Sequence, residues 1–90
     1  MVTSDLPGAD LIDVGLRDLA TGTESVPALL VAIGAPRLRR LGFAVPASIP
    51  DPERRLYALL QRDDPRGAHS RYNALIRRLV SFERAAACAS

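Results

Sequence analysis

SRYNALIRRLVSFERAAA, residues Ser70 to Ala87, is the stretch that decides the fold class. Taking roughly 100° per residue, Tyr72, Leu75, Leu79, Phe82 and Ala86 fall in one stripe about 80° wide, with Ile76 at its border. Arg77, Ser81 and Arg84 fall on the far side. One apolar face and one charged face persist over about five turns, which is far too long for a strand and well suited to a packed helix. Ser70 is expected to cap it.

Working back from this helix, Asp63-Asp64-Pro65-Arg66-Gly67 reads as a turn, with Asp64-Pro65 able to start a single helical turn. Before it, Asp51-Pro52-Glu53 is a strong helix start: a cap, a proline at the first position and an acid in the first turn. That helix buries Leu56, Leu59 and Leu60 and ends near Arg62. Phe43–Pro50 contains Pro46 and Pro50 and cannot be a regular helix. It is expected to cross the bundle as an extended link offering Phe43, Val45 and Ile49 for packing. Ala9–Ala20 carries Leu11, Ile12, Leu16 and Leu19 at three- and four-residue steps, with Asp10 and Asp13 near its start and Gly22 as its stop. Between them, Val26, Leu29, Leu30 and Ile33 form a clean stripe behind a Thr23 or Ser25 cap. Gly34-Ala35-Pro36 is expected to break that stripe, leaving a short helix that carries Leu38 and Leu41 and stops at Gly42. No segment alternates apolar and polar residues with β-branched enrichment, so no strand is expected.

The expected fold is therefore all-α, a compact irregular bundle of about five helices over approximately 9–21, 24–34, 36–41, 52–62 and 70–87. Residues 1–90 are read as a single domain, with 1–8 a flexible N-terminus and 43–50 an extended internal linker. The expected core is Leu16, Leu19, Val26, Leu29, Leu30, Ile33, Leu38, Leu41, Leu56, Leu60, Leu75, Leu79 and Phe82.

Composition bounds the chemistry. All twelve basic residues are arginine and lysine is absent, which excludes a Walker phosphate loop and any lysine Schiff base. The single cysteine, Cys88, cannot form a disulfide within the chain, so a reducing compartment, the cytoplasm, is expected. No basic residue precedes an apolar stretch at the N-terminus, so no signal peptide is expected. No apolar stretch is long enough to span a bilayer, and no membrane partner is expected. Charge is unevenly placed: residues 1–30 carry a net −4 and residues 31–90 a net +6, together the overall +2. Such a split suits either a nucleic-acid surface or an acidic segment packed on a basic one.

Candidate chemistry starts at His69, the only histidine. His69 with Asp63 and Asp64 could ligate a metal, but Arg62, Arg66 and Arg71 surround the segment and oppose a cation, so no metal site is expected. Ser70 is adjacent to His69 and does not face it on a helix, so no hydrolase pair arises. Six residues lie between Arg62 and His69, a spacing that resembles the Arg-x(4–6)-His element of HEPN-type ribonucleases. That resemblance covers eight residues and implies a helical, dimeric, RNA-cleaving protein in which Arg62 and His69 serve the scissile phosphate together. Pro65 and Gly67 between them depart from one continuous helix carrying both groups. Separately, Val26–Gly42 can be read as a helix-turn-helix, with Gly34 at the turn and Arg37, Arg39 and Arg40 toward a DNA groove. Arg77 and Arg84 add a second arginine-bearing face for nucleic acid, and phosphate contact by such groups would be strongly salt-dependent.

No catalytic constellation stands out, and no family is recognised along the whole chain. The expected function is a small protein–protein interaction or regulatory module without catalytic activity and without a cofactor. Val31, Val45, Ile76 and Val80 sit at the edges of the inward stripes and suggest a surface for another protein or a second copy of the chain. The alternatives are a nucleic-acid-binding helical domain using the arginine faces, and a HEPN-like ribonuclease using Arg62 and His69.

Overall fold

A computed structural model describes residues 6–89. It contains four α-helices, α1 (Ala9–Ala20), α2 (Val26–Arg40), α3 (Pro52–Asp63) and α4 (Ala68–Ala89), and no strand among the described residues. Helix α2 is the hub, packing against α1, α3 and α4, while α3 also packs on α4. The Cα radius of gyration is 12.6 Å, close to the ~12 Å expected for a compact chain of this length.

The helix ends follow from local chemistry. At the end of α1, Thr23 N–H donates to Asp18 O at 2.8 Å and Gly22 N–H to Leu19 O at 3.2 Å. At the end of α2, Phe43 N–H donates to Leu38 O and Gly42 N–H to Arg39 O, both at 3.0 Å. Both are Schellman stops, and each places its glycine at positive φ, 77° for Gly22 and 99° for Gly42. Ser25 caps α2 by accepting from Ala28 N–H at 3.2 Å, and its own hydroxyl donates to Asp18 Oδ2 at 2.5 Å. That relay ties α1 to the start of α2.

The expected break at Gly34-Ala35-Pro36 does not occur. The segments read as 24–34 and 36–41 form one helix through Pro36, so there are four helices and not five. A proline inside a helix costs about 3 kcal/mol through its lost N–H and the clash with the preceding turn. Here both flanks are anchored: Leu30, Val31, Ala35 and Leu38 are all buried. Burying a Leu or Val side chain contributes roughly 1.5–3 kcal/mol, so three of them outweigh the proline. Pro36 itself is exposed, and its ring does not compete for core space.

Two further expectations about helix starts need correction. Asp51 occupies the N-cap of α3, but its side chain makes no cap hydrogen bond; its backbone is left-handed (φ 50°), and its carbonyl accepts from Arg55 N–H at 3.1 Å. Helix α4 begins at Ala68, two residues before Ser70, which is exposed inside the first turn. The start is set by Asp64, whose Oδ1 accepts from Gly67 N–H at 3.1 Å, and by Gly67 O, which accepts from Arg71 N–H at 2.9 Å. Asp64 thus organises the turn and leaves Ser70 nothing to cap.

Residues 43–49 contain no helix and alternate inward and outward along the chain. Phe43, Val45 and Ile49 pack against the core, and Phe43 meets Phe82 with ring centroids 5.4 Å apart. Arg39 Nη2 holds this strap from α2, donating to Val45 O at 3.3 Å. Of the segment read as a flexible N-terminus, residues 1–5 lie outside the described residues; Leu6 packs against the core. Leu19, Leu29, Leu30, Leu38, Leu56, Leu60, Leu79 and Phe82 are buried as expected. Leu16, Val26, Ile33, Leu41 and Leu75 are half-buried against them. The core also takes Ala9, Ile12, Ala28, Val31, Ala35 and Ala68, small residues in the main that let the helices approach closely.

Two glycines set those approaches. A Cβ at Gly15 would run into the Pro27 carbonyl oxygen and Val31 Cγ2, so α1 lies directly on the first turns of α2. A Cβ at Gly34 would lie 2.8 Å from Leu79 Cδ1 and 3.0 Å from Glu83 Oε2, so α2 and α4 meet there.

Candidate functional site

The crossing of α2 and α4 at Gly34 leaves a groove of about 290 Å³ lined by Ile33, Gly34, Pro36, Arg37, Arg40, Ile76, Leu79, Val80 and Glu83. Its apolar wall comes from Ile33 on α2 and from Ile76, Leu79 and Val80 on α4. Ile33, Ile76 and Val80 are only half-buried: Gly34 brings the two backbones together, and the described residues leave these three side chains partly open at the groove. Arg37 and Arg40 come from the last turn of α2 and form one bank. Arg77 and Arg84 sit on α4, roughly 40–60° round the helix from Val80 on the side away from Ile76, and do not line the groove.

Among the described residues Glu83 is the one buried charged residue, with 5% of its surface exposed. Among the described residues it makes no hydrogen bond or ion pair within 4.0 Å. Burial pushes its carboxyl above the usual range, and the positive charge of Arg37 partly offsets this. Its carboxylate oxygens are not sealed off, since no buried side-chain oxygen among the described residues lacks a hydrogen-bond partner; they meet water at the groove. The carboxyl could donate a proton, or accept a hydrogen bond from an occupant of the groove.

The acidic segment does not neutralise the arginines named from the sequence. Asp10 lies 3.7 Å from Arg78, Glu24 pairs with Arg55 at 3.1 Å and Asp63 with Arg71 at 3.0 Å. Asp18 is engaged by Ser25. Among the described residues, Arg37, Arg39, Arg40, Arg77 and Arg84 have no carboxylate within 4.0 Å. Arg39 is separate from the groove and serves the strap. The structure therefore brings Arg37 and Arg40 to one groove and leaves Arg39 out of it. The continuity of α2 through Gly34 removes the turn that a helix-turn-helix would need in Val26–Gly42.

Arg62 and His69 fall on different elements, at the end of α3 and the start of α4, with the Asp64–Gly67 turn between them. His69 Nε2 is paired with Asn73 Nδ2 at 3.2 Å, one helical turn further on. Arg62 lines a separate recess of about 390 Å³ with Glu24, Leu29, Arg55, Ala58 and Leu59. That recess is larger than the α2/α4 groove, but its central charges are satisfied: Arg55 Nη1 lies 3.1 Å from both carboxylate oxygens of Glu24. No hydrogen bond joins Arg62 to His69 among the described residues.

The aromatic rings are occupied elsewhere. Phe43 and Phe82 pack together, and Tyr57 meets Tyr72 at 5.7 Å. Burial, with Glu53 nearby, pushes the Tyr72 hydroxyl pKa up, which keeps it protonated. No cluster of three or more His, Cys, Asp or Glu residues is placed to hold a metal ion among the described residues. No helix among them is long and apolar enough to cross a membrane.

Glu83 was not singled out from the sequence, and Gly34 was read as a helix break or turn, not as a helix crossing. On the helical wheel Glu83 lies roughly 40° from Leu79, inside the arc that faces the bundle. An acid at that angle was the available signal. In comparison with known proteins, the chain matches no family model, no curated protein and no solved structure.

Proposed function

We propose that this protein is a non-catalytic interaction module that takes another protein on the α2/α4 groove. The observation that carries this reading is the half-buried Ile33, Ile76 and Val80 beside Arg37 and Arg40, which have no carboxylate within 4.0 Å among the described residues. Apolar side chains left half-covered at a helix crossing gain from a partner that completes their burial. At about 290 Å³ the groove is at the small end for a cofactor or metabolite, and it suits one or two anchoring side chains of a protein. A second copy of the chain is the poorer fit. A two-fold contact through this face would set Arg37, Arg40, Arg77 and Arg84 against the same four residues. The exposed thiol of Cys88 accords with a reducing compartment such as the cytoplasm.

A photo-crosslinking residue placed at Val80, and separately at Arg54 on exposed α3, tests the reading in the native cell. A discrete protein adduct from position 80 and none from position 54 is expected. Identical patterns from the two positions, or none from either, would remove the proposal.

A second reading, nucleic-acid binding through Arg37, Arg40, Arg77 and Arg84, draws on the same lack of acidic partners. It is weaker because the groove offers no aromatic ring for a base and presents Glu83 toward any phosphate. Retardation of RNA or DNA at low salt, abolished by reversing these arginines, would favour it.

A further inference from the structure

We infer that the occupant of the α2/α4 groove is an acidic amphipathic helix: its apolar residues enter between Ile33 of α2 and Ile76 and Val80 of α4, and its carboxylates meet Arg37 and Arg40. This rests on the protein-binding reading above and gives the partner its chemistry.

Three observations carry the assignment. The first is shape. Two helices crossing at a glycine leave a short apolar trough between Ile33 and Val80, and helix-in-groove recognition fills such troughs with side chains at three- and four-residue spacing. The second is charge. Arg37 and Arg40 line the trough, neither has a carboxylate within 4.0 Å among the described residues, and the one acid among the described lining residues is Glu83. An occupant with acidic flanks meets complementary potential, and a basic one is repelled. The third is Glu83, a residue 5% exposed whose side chain has no hydrogen-bond partner among the described residues and whose carboxylate oxygens keep their contact with water at the groove. Closing the groove removes its last contact with water, so in the complex it must hold a proton or receive a donor from the occupant. Its cost in the complex is then desolvation, whereas Arg37 and Arg40 supply attraction. The two kinds of residue respond to mutation in opposite directions.

A displayed library of helical peptides, randomised on both faces, can be panned on the full chain with the Val80→Glu variant for counterselection. Circular dichroism confirms that each variant is folded. The enriched pool is expected to be net negative, with apolar residues at three- and four-residue spacing. For a selected peptide, the Arg37→Glu/Arg40→Glu double variant is expected to weaken binding tenfold or more. A version of the peptide with lysine in place of its glutamates should recover affinity for that variant. Glu83→Gln should bind at least as tightly as the native chain. An enriched pool that is basic or uncharged would overturn the inference, as would affinity indifferent to the arginine reversals. So would a short RNA duplex that outcompetes the peptide and depends on the same arginines. If panning yields no binder while the crosslinker at position 80 still captures one protein, the acidic helix falls and the protein-binding face stands. If position 80 captures nothing either, both fall.

Discussion

Gly15 and Gly34 both sit inside helices at helix crossings, and the two crossings are built differently. At Gly15 the missing side chain makes room for a backbone carbonyl, that of Pro27, and for Val31, which is fully buried. At Gly34 it makes room for the outer ends of Leu79 and Glu83, which line an open groove. The α1/α2 crossing is closed, fixed by backbone, and reinforced by the Asp18–Ser25–Ala28 relay. The α2/α4 crossing has movable walls, a half-buried apolar rim and, in Glu83, a carboxylate with no hydrogen bond among the described residues. The lesson is that a single residue type marks both structural closure and an accessible site. What the missing Cβ would strike separates the two.

Substitutions can break or sharpen that contrast. The largest effect is expected for Gly15→Ala, since neither the Pro27 carbonyl nor the buried Val31 can yield. Overpacking of this kind costs about 2–3 kcal/mol, and the thermal midpoint should fall by roughly 10–20 °C. A midpoint within 3 °C, about half a kcal/mol, would show that the α1/α2 crossing is loose after all. Ser25→Ala removes the cap of α2 together with its link to Asp18. A loss of about 1 kcal/mol is expected in the denaturant midpoint.

Glu83→Gln acts on the other crossing and in the opposite sense. Its carboxyl is raised in the folded state, so between the ordinary value of 4.5 and the raised one the folded chain binds more protons than the unfolded chain. Stability from this group therefore falls as pH rises through that window and stays lower above it. At pH 7 the glutamine variant should be the more stable, by up to ~1 kcal/mol, with the difference closing as pH is lowered toward 4.5. Urea melts across that pH range would show the convergence; a native chain more stable than the variant at neutral pH would contradict it. The smallest shift is expected for Gly34→Ala. Replacing an interior helical glycine by alanine gains about 1 kcal/mol of helix propensity, which displacement of the Leu79 and Glu83 ends offsets. Its midpoint should move by less than a third of the Gly15→Ala change.

Much of the fold could be read ahead of the structure because helix periodicity and stop signals are local. The stripe through Leu75, Leu79 and Phe82, the stops at Gly22 and Gly42, and the extended Phe43–Pro50 segment all depend on near neighbours. The continuity of α2 does not. At Pro36 the local rule says break, and burial of Leu30, Val31, Ala35 and Leu38 against other helices overrides it. One local signal did argue for continuity: a helix starting at Pro36 would want Ser, Thr, Asp or Asn before it, as Ser25 precedes α2, and Gly34-Ala35 offers neither. The same limit applies to the site. Ile76, Val80, Arg37 and Arg40 could be nominated one by one, but not their convergence. The role of Gly34 and the setting of Glu83 depend on where α2 crosses α4, and no spacing within either helix encodes that crossing.

The central claim is that the open crossing is the recognition face for an acidic helix. The most direct measurement is amide chemical-shift mapping by NMR as a selected acidic peptide is titrated into the native chain. The account expects the largest shifts at Ile33, Arg37, Arg40, Ile76, Val80 and Glu83, with α1 from Ala9 to Ala20 unmoved. Shifts centred on the Arg62–His69 turn or on α1, with the groove residues unmoved, would contradict it.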